Sequence, residues 1–511
     1  MLSIVRACAL DGLDGCVIDV ETDFNPRAQI PNFIIVGLPD NAVKESRERV
    51  RASIKNSGLQ FPPKVFVVNL SPADIVKQGP GFDLAIAIGV LAATDQVPLE
   101  STHNAMFIGE LSLDGTVRHV KGILPMAHTA VQNGIPNLYC SQEDAPIAAL
   151  VDGVSVYAVP TLGALVEHLF GLKPIEMTER RPFQDDSDTL PEGVVDFADI
   201  KGQEQIKRAL EIAAGGNHNL LMVGSPGVGK TLLARAMPGI LPPLDFNEAL
   251  EVSRIYSVAD MLSADQPLIR RRPFRAPHHT TSQAGLIGGG NPPKPGEITL
   301  SHRGLLFLDE MPELAQATLE VLRQPIEDRV VTISRAKASI TMPANFLLIG
   351  AMNPCPCGYF GDTLRACTCT PNMIQRYQSK LSGPLMDRID IHITVPRVDQ
   401  AKLVSHSRAE PSSAIRQRVV MARERQRDRF RDHPHARTNS DMTVSDIMEF
   451  CELTKEAQSI VDLSMKRLQL SARAYHRVLK LARTIADLAD SDKIEMPHVA
   501  EAVQYRPRPQ S

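Results

Sequence analysis

The sequence predicts an α/β protein with a parallel-sheet core, an all-helical C-terminal region and a separate N-terminal α/β domain. Three observations lead there. Between residues 196 and 395 the buried-type runs LLMVGS, GLLFLDE and NFLLIGAMN alternate with helical segments, the pattern of a parallel sheet covered on both faces. Residues 396–511 read as helical throughout. Residues 1–170 mix short β-rich runs with helical stretches, and a length of 511 residues leaves room for two to four domains.

In the first domain, NFIIVGL at 32–38 and KVFVVNL at 64–70 predict strands, while 40–57 and 83–93 predict helices. Residues 171–195 turn polar and proline-bearing with no apolar period, as a linker does. The core is expected at 196–395 and a helical lid at 396–511. In the lid, Tyr475, Val478, Leu479, Ala482, Ile485, Ala486 and Ala489 recur at spacings of three and four and define a buried face. Arg473, Arg477 and Lys480 share another face. Arg416 to Arg431 carries seven arginines in sixteen residues, which reads as a solvated helix or as a nucleic-acid contact.

Composition narrows the classes. Lys and Arg number 55 against 59 Asp and Glu, a net charge of −4, so total charge points to neither nucleic acid nor an anionic membrane. The longest apolar run, Leu84 to Ala93, is about half of what a membrane span needs. The N-terminus has no basic segment leading into a long apolar one, so a cytoplasmic location without membrane association is expected.

The strongest motif is GSPGVGKT, comprising Gly224, Ser225, Pro226, Gly227, Val228, Gly229, Lys230 and Thr231. It follows an apolar strand and opens a helix. Glycines let backbone N–H groups turn inward around phosphates, the lysine reaches the β and γ oxygens, and the hydroxyl ligates Mg²⁺. ATP or GTP binding is expected. About 80 residues on, GLLFLDE ends in Asp309, suited to holding the magnesium, and Glu310, suited to polarising an attacking water. Two acids could also merely end a strand. The next apolar strand ends in Asn353, whose amide could orient that water or bond the γ-phosphate.

These residues have the character of an AAA+ ATPase. From Asp196 onward the sequence resembles the magnesium-chelatase-like branch of that class, and the whole chain resembles the bacterial YifB/ComM family. The matching stretches are DFADIKGQEQIKRALEIAAGGNHNLLMVGSPGVGKT, FRAPHHTTSQAGLIGGG, GEITLSHRGLLFLDE, MNPCPCGYFGD, LSGPLMDRIDI and SARAYHRVLKLARTIADL. The resemblance implies that Arg388 is an arginine finger reaching a neighbouring subunit's γ-phosphate. It implies that Arg473 is a sensor-2 arginine touching the same nucleotide from its own subunit, although Arg477, one helical turn away, could substitute. Spacing alone leaves Arg388 open as an ordinary salt bridge. Two arginines serving one phosphate from opposite sides imply a homo-oligomeric ring, usually a hexamer.

The N-terminal domain resembles the Lon protease domain, an S5-like α/β fold, in NLSPADIVKQGPGFDLAIAIGVLAA and VKGILPMAHTAVQNGI. Lon-type proteolysis needs a serine nucleophile and a lysine base. Gly81 and Met126 stand at those positions, so a non-proteolytic interaction or assembly module is expected.

Cys355, Cys357, Cys367 and Cys369 form CPC…CTC with nine residues between the pairs. Four close thiolates suit structural Zn²⁺, although the C-x-C spacing is tighter than usual; unligated thiols and disulfides are the alternatives. VVTISRAKASITMP places Arg335 and Lys337 between two β-type runs and resembles a channel-facing hairpin of this clade. An exposed hairpin with a charged tip is the plainer reading. The insert around RRRPFRAPHHTT and GLIGGGNPPKP resembles a second channel-facing element. Basic groups around a pore track phosphates without reading bases. The expected partner is therefore DNA, branched or single-stranded, with recombination proteins as further candidates. By resemblance the leading expectation is a branch-migration helicase that extends strand exchange when imported DNA is integrated. A protein-remodelling ATPase and a chelatase-type assembly ATPase stand as alternatives.

Overall fold

Asn32–Val36 and Val65–Ser71, the two β-rich runs read from the N-terminal sequence, are adjacent parallel strands at one edge of a seven-stranded mixed sheet. From that edge the sheet continues through Asp14–Asn25, Leu2–Asp11, Ala105–Phe107, Asn137–Ser141 and Ser155–Val159. The computed structural model describes residues 2–180, 193–290, 293–334, 339–398, 409–433, 435–468 and 471–506. The helix Asp83–Ala93 packs on this sheet with every residue buried, which explains its unbroken apolar run. Its buried Asp83 is charge-paired, with Arg49 Nε at 2.6 Å. Gly81 lies in the turn just before this helix, and Met126 is buried in the helix Ile123–Gln132. Neither a hydroxyl nor an amine stands at those two positions.

The chain divides into two units, Met1–Gln184 with Phe246–Ile269, and Asp185–Asp245 with Arg270–Ser511. The sequence reading placed Phe246–Ile269 in the ATPase core; in the structure it joins the N-terminal unit. Its helix Phe246–Val258 packs on Ile123–Gln132, and Gly122 N donates to Ser257 O at 3.1 Å. His119 is fixed here by two carboxylates, Asp144 at 2.5 Å and Asp260 at 3.0 Å.

The second unit is built on a five-stranded sheet, parallel throughout, in the order Phe274–Arg275, Leu305–Leu308, Leu347–Met352, Leu220–Val223, Ile391–Thr394. Leu305–Leu308 and Leu347–Met352 are wholly buried, as continuous apolar strands of a covered parallel sheet should be. One core joins this sheet to the C-terminal helices, with Ala213 and Leu220 in the same cluster as Ala482 and Ile485. These helices include Ser412–Arg429, Lys455–Leu468 and Ala472–Leu488.

Two lid expectations change. Ala489 is the exposed residue capping the end of Ala472–Leu488 rather than part of its buried face, while Arg483, Thr484 and Asp487 are buried in that helix. The arginine-rich segment is a helix solvated on one face only, with Glu424, Arg427 and Asp428 exposed while other arginines are paired. Arg418 pairs with Glu211 at 2.5 Å, Arg423 donates to Ala214 O at 2.8 Å, and Arg429 pairs with Asp487 at 2.6 Å. These charges tie the lid to the core helix Glu204–Gly216 and to the lid's own helix. Among the described residues no helix is long and apolar enough to cross a membrane.

Candidate active site

Three neighbouring parallel strands end on one side of the sheet and carry the chemistry. Leu220–Val223 leads into the loop at 224–231, Leu305–Leu308 into Asp309 and Glu310, and Leu347–Met352 into Asn353. Because the Asn353 strand lies between the other two, its amide stands between loop and acids. Gly227 and Gly229 have φ of 80° and 91°, a left-handed conformation that favours glycine and turns the loop back on itself.

Lys230 is 8% exposed, and its Nζ donates to Gly224 O at 2.6 Å, Ser225 O at 3.1 Å and Asn353 Oδ1 at 3.0 Å. Burial lowers its ammonium from the ordinary value, against the opposing charges of Asp309 and Glu310. Thr231 Oγ1 donates to Asp309 Oδ2 at 2.7 Å, and Glu310 N donates to Asp309 Oδ1 at 2.9 Å. A hydroxyl and a carboxylate this close form a hard-oxygen pair, the donor chemistry that Mg²⁺ takes. Glu310 has φ of 48°, a left-handed conformation rare in a side-chain-bearing residue and common at functional positions. Its Oε2 lies 3.3 Å from His279 Nδ1. His279 belongs to the insert assigned from sequence to the channel; what sequence reasoning missed is that the strand Phe274–Arg275 pairs with Leu305–Leu308 and delivers it to the acids.

The cysteine loop sits on the phosphate loop, a neighbour that spacing could not reveal. Cys355 Sγ lies 3.4 Å from Cys357 Sγ and 3.7 Å from Cys367 Sγ, and Cys357 lies 3.6 Å from Cys367. With Cys369, all four sulfurs fall within 4.8 Å of one another. Tetrahedral zinc thiolates would stand about 3.8 Å apart, so the quartet fits that ion. Backbone N–H groups of Tyr359 and Thr368 draw the Cys357 thiol down to about 5. Gly358, with φ of 86°, meets Pro226: a Cβ there would lie 2.6 Å from its ring. Asp362 hydrogen-bonds Ser225 and pairs with Arg397 at 2.7 Å.

Arg388 and Arg473 do not lie apart, as service from opposite sides requires. Both bond one carboxylate, Glu327: Arg388 through Nε at 2.8 Å and Arg473 through Nη2 at 3.2 Å. Arg477, one turn along the same helix, pairs instead with Asp390 at 2.7 Å. The hairpin is present as Val330–Ser334 against Ser339–Pro343, and Arg335 and Lys337 lie outside the described residues.

A phosphate loop, an acidic strand end and an interposed asparagine on a parallel sheet have the character of an AAA+ ATPase site, and the family comparisons place the chain in the magnesium-chelatase-like branch. Residues 196–403 match the family of magnesium chelatase, subunit ChlI; residues 409–506 match its C-terminal region; residues 20–144 match the family described as subunit ChlI of Mg-chelatase. The chain is 40% identical over 507 residues to competence protein ComM of Haemophilus influenzae, covering 99% of this chain and 97% of that protein. It is 41% identical over 508 residues to the uncharacterized protein YifB of Escherichia coli, covering 99% and 97%. A 142-residue stretch is 28% identical to Lon protease 2 of Bacillus subtilis, covering 27% of this chain and 24% of that one. The chain belongs to the YifB/ComM family.

Proposed function

We propose that this protein is an ATP-hydrolysing DNA motor that works as a hexameric ring and drives branch migration during recombination, including the integration of incoming DNA. The observation that carries the ATPase reading is the convergence of Lys230, Thr231, Asp309, Glu310 and Asn353 at three adjacent strand ends. The near-full-length likeness to a protein named for competence supports DNA as the substrate. Arg335 and Lys337, which fall between the two hairpin strands in the sequence, would supply the charge to follow phosphates.

In this reading backbone N–H groups of 224–231 cradle the phosphates, and Lys230 exchanges its carbonyl and amide acceptors for β and γ oxygens. Thr231 and Asp309 would hold Mg²⁺, which would supply charge neutralisation to the phosphates. Glu310 accepts the proton of the water that attacks the γ-phosphorus, as the bond to the β–γ bridging oxygen breaks. Asn353 orients that water. Arg388 and Arg473, joined at one carboxylate, both act from the same edge on the nucleotide of a neighbouring copy. The cysteine quartet holds structural Zn²⁺ and braces the phosphate loop through Gly358 and Asp362. The N-terminal unit is a non-proteolytic docking or assembly domain, and the protein works in the cytoplasm.

Phosphate release with and without branched or single-stranded DNA tests the proposal. Stimulation by DNA that falls as salt rises is expected. Indifference to every DNA, with activation by a protein, would replace it with the protein-remodelling reading.

A further inference from the structure

Glu327 has no part in the site as proposed, yet both catalytic arginine candidates meet on it. It lies near the end of the helix Arg323–Asp328. Its Oε2 accepts from Nε of Arg388 at 2.8 Å and from Nη2 as well, and its Oε1 accepts from Arg473 Nη2 at 3.2 Å. One carboxylate thus joins an arginine just beyond the turn Gly383–Met386 to one in the first turn of the lid helix.

Neighbouring bonds fix the arrangement. Arg323, one turn before Glu327, donates to Ser382 Oγ at 2.9 Å, and Ser382 caps the turn that leads to Arg388. Arg388 Nη1 donates to Pro384 O at 2.8 Å. On the lid side, Arg477 is pinned to Asp390 one turn beyond Arg473. Two guanidinium groups this close repel each other unless an anion lies between them. A guanidinium has five N–H donors, of which Arg388 uses three and Arg473 one in these bonds, so both retain donors for a further anion.

We infer that Glu327 is a positioning residue for ATP hydrolysis, whose carboxylate assembles Arg388 and Arg473 into a two-guanidinium clamp for the terminal phosphate on a neighbouring copy of the chain. This rests on the ATPase reading above. It differs from a tie that merely holds lid to core, and from a latch that competes with phosphate.

The test is steady-state ATP hydrolysis by the full chain as wild type, Glu327→Gln, Glu327→Asp, Arg473→Ala and the Glu327→Gln/Arg473→Ala double variant. Sedimentation with a non-hydrolysable ATP analogue and thermal melting accompany it. Glu327→Gln is expected to lower kcat at least ~10-fold with KM for ATP within about 2-fold, assembly and melting matching wild type. Glu327→Asp restores part of kcat, and adding Arg473→Ala to Glu327→Gln costs no more than about 2-fold further, because both act through one clamp. An unchanged or raised kcat, a loss tracking assembly or melting, or independent effects in the double variant overturns the inference. Wild type hydrolysing no faster than Lys230→Ala overturns the ATPase reading and this inference together.

Discussion

Lys230 Nζ lies 3.0 Å from Asn353 Oδ1, so the loop lysine and the amide of the adjacent strand are in direct contact. Their roles should nonetheless separate. Lys230→Ala is expected to abolish ATP binding. Asn353→Ala is expected to keep binding and lose roughly 100-fold in hydrolysis, the scale of one oriented polar group at the reacting centre. Nucleotide titration and phosphate release, measured side by side, check this.

The pair Asp390–Arg477 holds the lid helix to the last strand of the core sheet. Asp390 is nearly buried; burial raises its carboxyl, but Arg477, His218 and Lys480 outweigh that and hold it well below the ordinary carboxylate range. Asp390→Asn is expected to destabilise this unit by ~3 kcal/mol, because Arg477 is left without its charge partner. A depressed carboxyl stabilises above its unfolded value and loses that contribution as pH falls through the folded one. The gap between wild type and variant in denaturant melts should therefore be full at neutral pH and shrink below about pH 4.

His119 gives the opposite sign in the N-terminal unit. The hydrogen bond to Asp144, reinforced by both aspartates' charges against partial burial, raises its imidazole to about 9. A raised histidine stabilises fully below its unfolded value, near 6.5, and loses that contribution as pH rises through 9. The melting-temperature difference between wild type and His119→Asn should be largest near pH 6 and vanish above pH 9.5 or so.

For the cysteine quartet, elemental analysis of chelator-washed protein should find about one zinc per chain, lost in Cys357→Ser. Since the loop rests on Pro226 and Ser225, the zinc-free variant should also bind ATP more weakly and melt earlier. Wild-type protein without stoichiometric zinc would refute the site.

The sheet and its phosphate site were legible because local chemistry specifies them. Continuous apolar strands, a glycine loop and two acids at a strand end each carry their meaning within a few residues. What stayed hidden depends on distant partners. Arg416 to Arg431 looks solvated until Glu211 and Asp487 are brought beside it by folding. His279 looked like part of a channel insert because nothing local shows the strand that sets it against Glu310. Phe246–Ile269 reads like any core helix, and its membership of the N-terminal unit is decided by packing on Ile123–Gln132. The family resemblance singles out Arg388 and Arg473, while their shared carboxylate is a tertiary fact.

In the proposed function, hydrolysis at Glu310 drives DNA strands past one another. This coupling is tested by migration of a synthetic DNA junction with wild type, Lys230→Ala and Glu310→Gln. ATP-dependent migration is expected of wild type and of neither variant, with Glu310→Gln still binding ATP and assembling rings. Normal-rate migration by Glu310→Gln, or none by wild type that hydrolyses ATP freely, would contradict it.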